Sequence, residues 1–153
     1  MQNRYFTHNP KQTKELGKSL AKDFLKNRHR TKALVVGLAG DLGGGKTTFL
    51  QGFAKGLGKK GRILSPTFII MRRTDNFYHI DCYRLGCPEE LLALGFKKII
   101  KDPANVVAVE WADMVKKIMP RHTIWADFKF IDKNQREIVI RSINGNKKQT
   151  GHH

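Results

Sequence analysis

Ala33-Leu34-Val35-Val36-Gly37-Leu38-Ala39-Gly40-Asp41-Leu42-Gly43-Gly44-Gly45-Lys46-Thr47-Thr48-Phe49-Leu50 decides the fold. It opens with a short apolar run, the pattern of a buried strand. A glycine-rich turn follows, and then a helix from Lys46 to Leu57 that carries Phe49, Leu50, Phe53, Ala54 and Leu57 inward and stops at Gly58. Gly40 to Thr47 fits the phosphate-binding pattern G-x-x-x-x-G-K-[ST], and here it joins a strand to a helix, the context that pattern demands. Phosphate oxygens are crowded acceptors, so a loop that binds them must present many N–H donors inside a tight curve. Glycines permit those torsions and that close approach. The expected binding residues are Gly40, Asp41, Leu42, Gly43, Gly44, Gly45, Lys46, Thr47 and Thr48. The amides from Gly43 to Thr47 converge on a β-phosphate at the positive end of the helix. Lys46 reaches the β- and γ-phosphates, Thr47 offers its hydroxyl to Mg²⁺, and Thr48 is placed to reach an α-phosphate oxygen.

The surrounding elements extend this unit. Upstream, the spacing predicts a helix from about Pro10 to Asn27. Asn9 caps it, Pro10 suits its first position, and Gln12 stands where a capping box places it. Leu16, Leu20, Ala21, Phe24 and Leu25 share one face, and Lys14, Lys18, Lys22 and Lys26 point outward. Downstream, a turn at Ser65-Pro66 leads into a strand from Phe68 to Met71, and Phe77 to Ile80 forms another that ends at Asp81. Pro88-Glu89-Glu90-Leu91 opens a short helix with acids at its positive end. Val106 to Val109 reads as a strand buried on both faces and closed by Glu110 and Trp111. Ile124, Ala126, Phe128 and Phe130 alternate onto one face, as do Ile138 and Ile140, with a hairpin turn at Asp132-Lys133-Asn134-Gln135. Strands interleaved with helices predict an α/β fold: three P-loop-type α/β/α layers around a mixed, largely parallel sheet, with a C-terminal antiparallel hairpin.

The 153 residues suit one domain, taken as 1–150, with Gly151-His152-His153 set aside as the stub of a tag. Hydrophobic residues at 40% and charged residues at 27% exclude a disordered or collagen-like chain. The apolar runs are too short to span a bilayer, and no apolar signal core follows Met1. Cys82 and Cys87 make neither a disulfide framework nor a complete zinc site, which points to a reduced, cytoplasmic setting. Lys and Arg number 29 against 13 Asp and Glu, a net charge of +16. Such an excess favours an acidic partner such as nucleic acid or nucleotide, although a solvated lysine surface has the same composition.

A nucleotide-hydrolysing loop needs a second anchor for Mg²⁺, normally an acid at the end of a buried strand. Glu110, after the more apolar run, is the preferred metal-side carboxylate, and Asp81 then orders the metal's water shell or the attacking water. Either is otherwise a structural acid that caps a helix or pairs with Arg84. Thr67 lies on a turn able to bring its hydroxyl near a γ-phosphate. His79 alternates with Asp81 and faces the same side, where a lone histidine more often packs or hydrogen-bonds than catalyses. Arg84 suits phosphate, Asp81 or a partner's carboxylate equally. No guanine-reading Asn-Lys-x-Asp motif is present, a weak pointer to adenine.

Four stretches in this order, Gly40 to Thr48, Ser65-Pro66-Thr67-Phe68, His79-Ile80-Asp81-Cys82-Tyr83-Arg84-Leu85 and Val109-Glu110-Trp111, resemble the TsaE (YjeE) family of small P-loop ATPases in tRNA threonylcarbamoyladenosine synthesis. Thr13-Lys14-Glu15-Leu16-Gly17 agrees as well, and Gly44 stands where the family pattern has alanine. The resemblance implies binding and hydrolysis of ATP with Mg²⁺. It also implies association with a TsaB–TsaD pair that transfers a threonylcarbamoyl group to adenosine 37 of tRNA. It assigns Lys46 and Thr47 to phosphate and Mg²⁺, Thr67 and Asp81 to hydrolysis, Glu110 to the metal, and Trp111 to the edge of the nucleotide site. It further implies weak activity alone and greater activity with the partners. From the loop alone, a small-molecule or nucleoside kinase and a basic nucleic-acid-binding protein are the other readings.

Overall fold

A computed structural model describes residues 2–26, 30–41, 43–59 and 70–142. Twelve elements follow one another in these segments: β1 (Gln2–Thr7), α1 (Pro10–Leu25), β2 (Leu34–Gly40), α2 (Lys46–Gly56), β3 (Met71–Thr74), β4 (Phe77–Asp81), α3 (Pro88–Leu92), α4 (Phe96–Lys101), β5 (Val106–Glu110), a 3₁₀ segment (Ala112–Ile118), β6 (Ile124–Asp132) and β7 (Gln135–Arg141). The expected turn at Ser65-Pro66, residue Thr67 and the start of the Phe68 strand lie outside the described residues, as does Leu42.

The strands form one seven-stranded sheet in the order β1-β7-β6-β2-β5-β4-β3. The central neighbours β6, β2, β5 and β4 pair in parallel. The pairs β1/β7, β6/β7 and β3/β4 are antiparallel, so the parallel part is the middle of a sheet with antiparallel margins. Alternation along each strand divides the core in two. Leu34, Val36, Leu38, Phe77, Val106 and Ala108 point to the side covered by α1 and α2. Val35, Tyr78, Ile80, Val107 and Val109 point to the side covered by α3, α4 and the 3₁₀ segment. These are the three expected layers.

Helix α1 starts where the capping residues require. Asn9 Oδ1 accepts from Gln12 N at 2.8 Å, and Gln12 Oε1 reaches back to His8 N at 2.7 Å. Helix α2 is closed off by Gly58, two residues past its end, whose φ of +79° lets its own N–H bond Lys55 O and that of Lys59 bond Ala54 O. The two helices run side by side in the same direction, almost backbone to backbone. A Cβ on Gly17 would lie 2.2 Å from Phe49 O, and one on Gly52 would lie 1.9 Å from Lys14 O. Both first turns therefore arrive at the same end of the molecule, beside the C-terminal ends of β2, β4 and β5.

Two details differ from the expected pattern. Phe130 keeps the face of Ala126 and Phe128, as alternation predicts, but its cross-strand partner is Arg136, and it is 43% exposed under that guanidinium instead of entering the core. The register shifts only beyond it, between Phe130 and Asp132, where a bulge adds one residue to the strand. Strand β1, helix α4 and the 3₁₀ segment have no counterpart in the periodicity reading. In β1 only Tyr5 and Thr7 turn inward, which leaves little apolar alternation to detect.

Candidate functional site

At the C-terminal edge of a parallel sheet, loops and helix N-termini converge, and ligands bind there in folds of this type. The glycine loop leaves β2 at that edge. Gly40 has φ +115°, and a Cβ there would lie 2.0 Å from Phe128 O, so only glycine lets the loop press against β6. The contact is fastened by Asp41 N to Phe128 O at 3.0 Å and by Phe130 N to Asp41 Oδ2 at 3.1 Å. Gly44 N donates to Asp41 O at 3.0 Å, so that amide closes the loop on itself instead of pointing into its concave side. Gly45, at φ +99°, precedes α2 with no side-chain cap, which leaves the first-turn amides of Lys46, Thr47 and Thr48 without a capping acceptor.

Lys46 is buried. Its ammonium donates to Asp41 O at 2.7 Å and to Gly40 O at 3.0 Å and sits 4.1 Å from the centre of the Trp111 ring. Burial lowers its pKa from 10.5, against the pull of Glu110 first and then of Asp113, Asp41 and Asp81. Trp111 holds an unusual backbone for a side chain of its size, φ 56° and ψ 40°, and its ring lies 4.9 Å from that of Tyr83.

Strand register places the acids. Asp81 and Glu110 are lateral partners at the ends of β4 and β5, and Leu38 of β2 is the partner of Glu110 on the other side. Both carboxylates therefore face the layer that contains α2. Thr47 Oγ1 donates to Glu110 Oε1 at 3.2 Å, and Glu110 Oε2 lies 2.6 Å from His79 Nε2. Asp81 is half-buried and accepts from Tyr83 N at 3.0 Å. Burial raises its pKa above 3.8, with the Glu110 charge adding to the rise and the Tyr83 N–H opposing it.

A cavity of about 320 Å³ opens over this cluster. One wall is Gly43, Gly45, Lys46, Thr47, Thr48, Glu110 and Trp111. The rest of the lining is Thr7, Asn9, Pro10 and Thr13 together with Lys133, Asn134 and Arg136 from the β6–β7 turn. Two helix N-termini thus border one cavity, and both favour negative charge there. Arg136 is braced by its Nε bond to Gly43 O at 2.9 Å and by a bond to Asp132 O at 2.6 Å.

Of the residues expected at the site, Lys46, Thr47, Thr48, Glu110 and Trp111 line the cavity with Gly43 and Gly45. Gly40, Asp41 and Gly44 shape the loop behind it, and Asp81 stands beside Glu110. The lining from Thr7 to Thr13 and from Lys133 to Arg136 escapes sequence reasoning because it comes from both ends of the chain. Its one local signal is the turn that brings Lys133 and Arg136 together. His79 was legible only as a residue on the same side as Asp81. Its bond to Glu110 depends on the pairing of β4 with β5.

A family model described as "Threonylcarbamoyl adenosine biosynthesis protein TsaE" matches residues 7–138. Relatives described as "tRNA threonylcarbamoyladenosine biosynthesis protein TsaE" agree in extent. The one from Rickettsia typhi is 35% identical over 139 residues, 88% of this chain and 91% of the relative. The one from Bacillus subtilis is 35% identical over 141 residues, 90% of this chain and 84% of the relative. The crystal structure of Bacillus subtilis YdiB superposes with a TM-score of 0.74 at 29% identity, covering 97% of this chain and 90% of that one. With the match running from β1 to β7 and taking in loop, acids and the cavity lining, this chain belongs to the TsaE family of threonylcarbamoyladenosine biosynthesis proteins.

Proposed function

We propose that this protein is a Mg²⁺-dependent, ATP-binding and ATP-hydrolysing accessory subunit of tRNA threonylcarbamoylation. In this reading it acts in the cytoplasm with a TsaB–TsaD-like complex on adenosine 37. One observation carries the reading. A glycine loop between β2 and α2 holds a buried lysine, and the next residue, Thr47, is hydrogen-bonded to a strand-end carboxylate in a cavity bordered by two helix N-termini.

The donor set fits a nucleotide-bound magnesium ion. Among the described residues, no group of three or more His, Cys, Asp or Glu stands ready to hold a metal by itself. One hydroxyl and one carboxylate, Thr47 and Glu110, suit an ion that completes its shell with phosphate oxygens and water, as Mg²⁺ prefers. When bound, the ion would neutralise charge on the β- and γ-phosphates.

The chain's own groups do the rest. Lys46 exchanges the carbonyls of Gly40 and Asp41 for phosphate oxygens while Trp111 keeps water from its ammonium. The first-turn amides of α2 bind the β-phosphate region. Glu110 holds Thr47 in place, and Asp81, beside Glu110 on the neighbouring strand, orients the attacking water. Thr67 joins them through the resemblance of its Ser-Pro-Thr turn. Asn9, Thr13, Asn134 and Arg136 supply the polar wall for the nucleoside. Lys11, Lys14, Lys18 and Lys22 of α1, continued by Lys26 just past its end, form one stripe that gives tRNA a surface for direct contact beside its indirect tie through the complex. Among the described residues no helix is long and apolar enough to cross a membrane.

The test is titration calorimetry with ATP and Mg²⁺, then phosphate release with and without the TsaB–TsaD pair. Wild type binds ATP and its hydrolysis rises with the partners. Lys46→Ala, checked for folding by circular dichroism, loses ATP affinity at least about tenfold, as expected for a charge-assisted contact. Unchanged affinity in that variant refutes the nucleotide site. Hydrolysis indifferent to the partners refutes the accessory role.

A further inference from the structure

We propose that His79 is a positioning residue: it fixes the orientation of the Glu110 carboxylate and so sets how readily the site takes up Mg²⁺ with its nucleotide. The proposal rests on the reading of Glu110 as the metal-side acid.

The two oxygens of Glu110 have different partners. Oε2 lies 2.6 Å from His79 Nε2, and Oε1 accepts from Thr47 at 3.2 Å. The side chains of His79 and Glu110 are each 3% exposed. The last torsion of a glutamate is broad and nearly two-fold, so nothing within the residue chooses which oxygen faces α2. A ring held in a buried strand removes that freedom. His79 lies in β4 between Tyr78 and Ile80, both in the core, and β4 is hydrogen-bonded to β3 and β5 on its two edges. Once one oxygen is tied to the imidazole, the carboxylate plane is set and the other oxygen is turned toward Thr47.

Chemistry gives a reason for a histidine here. Phe77, Tyr78 and Ile80 fill their strand positions with apolar or aromatic bulk, and a buried imidazole among them is costly unless it is hydrogen-bonded. Its bond goes to the carboxylate that also accepts from Thr47 at the start of α2. Groups that hold ligating side chains in this manner typically change metal affinity or activity 10–100-fold when removed.

A bond that only fills the core would weaken every property of the site together, whereas a positioning role acts through the metal. ATP affinity is therefore measured by calorimetry in EDTA and then across a Mg²⁺ titration, with melting temperature recorded for each variant. His79→Gln keeps an N–H donor near the Nε2 position, and His79→Asn is too short to offer one there. The expected result is wild-type behaviour for His79→Gln. His79→Asn should need about 10–100-fold more Mg²⁺ for half of the metal-dependent gain, at unchanged affinity in EDTA. His79→Leu should follow His79→Asn, and if it fails to fold the Gln and Asn pair carries the comparison. The proposal is overturned if His79→Asn titrates like wild type, if His79→Gln is as impaired as His79→Asn, or if the loss is equal in EDTA. Glu110→Gln separates the two levels. A shift there with none in His79→Asn removes only the role of His79, and no shift in Glu110→Gln removes the metal-side reading beneath it.

Discussion

Replacing Gly52 by alanine tests the link between helix packing and the site. Gly52 is buried in α2 against α1, and its new Cβ would lie 1.9 Å from Lys14 O, 2.6 Å from Lys14 C and 2.8 Å from Lys14 Cα. All three neighbours are backbone, and ordinary contact begins at 3.4 Å, so α1 and α2 must part locally by about 1.5 Å. Overpacking of this kind costs typically about 1–3 kcal/mol, and a helix backbone that has no rotamer to give puts the cost at the upper end. Alanine returns about 1 kcal/mol through its better helix propensity. The net loss is about 2 kcal/mol, a fall in Tm of roughly 4–8 °C for a chain of this size. The same movement carries the first turn of α1, with Asn9 and Thr13, away from the glycine loop, so ATP affinity should fall as well. Gly58→Ala is the control. Nothing lies within 4 Å of its Cβ, and it pays only for φ +79°, about 1–2 kcal/mol, with ATP affinity intact. Differential scanning fluorimetry with and without ATP reads both effects. A Gly52→Ala protein that melts at or above wild type would refute the backbone-contact reasoning.

Lys46→Met removes a buried ammonium whose pKa lies below 10.5. Between that lowered pKa and 10.5 the unfolded chain binds more protons than the folded one, so wild type should gain stability relative to Lys46→Met as pH rises through that window, measured by urea melts. Asp81 titrates in the opposite sense. Its folded pKa lies above 3.8, so burial of the ionised acid weighs on stability once pH passes that raised pKa. Asp81→Asn should thus gain stability relative to wild type as pH is raised from below 3.8 to neutrality, and a constant difference would contradict the assignment. Cys82 is buried, with its thiol pushed up to about 12, whereas Cys87 is exposed. Iodoacetamide near neutral pH should therefore place one adduct, on Cys87, with Cys82 labelled only after unfolding, as mass spectrometry of peptides will show.

Local patterns made much of this molecule legible. The run from Ala33 to Leu50 holds strand, loop and helix within one stretch, and each part is specified by neighbours in the chain: apolar continuity, glycines at positive φ, a terminator at Gly58. The cap at Asn9, the alternation in β6 and β7 and the acid at the end of each apolar run are equally local. Strand β1 was not legible, because an exposed edge needs little apolar content and is held by hydrogen bonds to β7. The face of Phe130 is legible from alternation, but its exposure is not, because that depends on Arg136 being its partner across β6 and β7.

Sequence alone determined that a glycine-rich loop would sit between a buried strand and a helix, since its torsions belong to consecutive residues. It also determined which acids stood at strand ends. Only the tertiary structure decided that Glu110 would meet Thr47 on one oxygen and His79 on the other, and that Arg136 would bond the loop at Gly43 where Asn9 lines the same cavity. Those contacts join residues 31 to 93 positions apart. They follow from strand order and from two helices close enough to touch backbones, which no local pattern encodes.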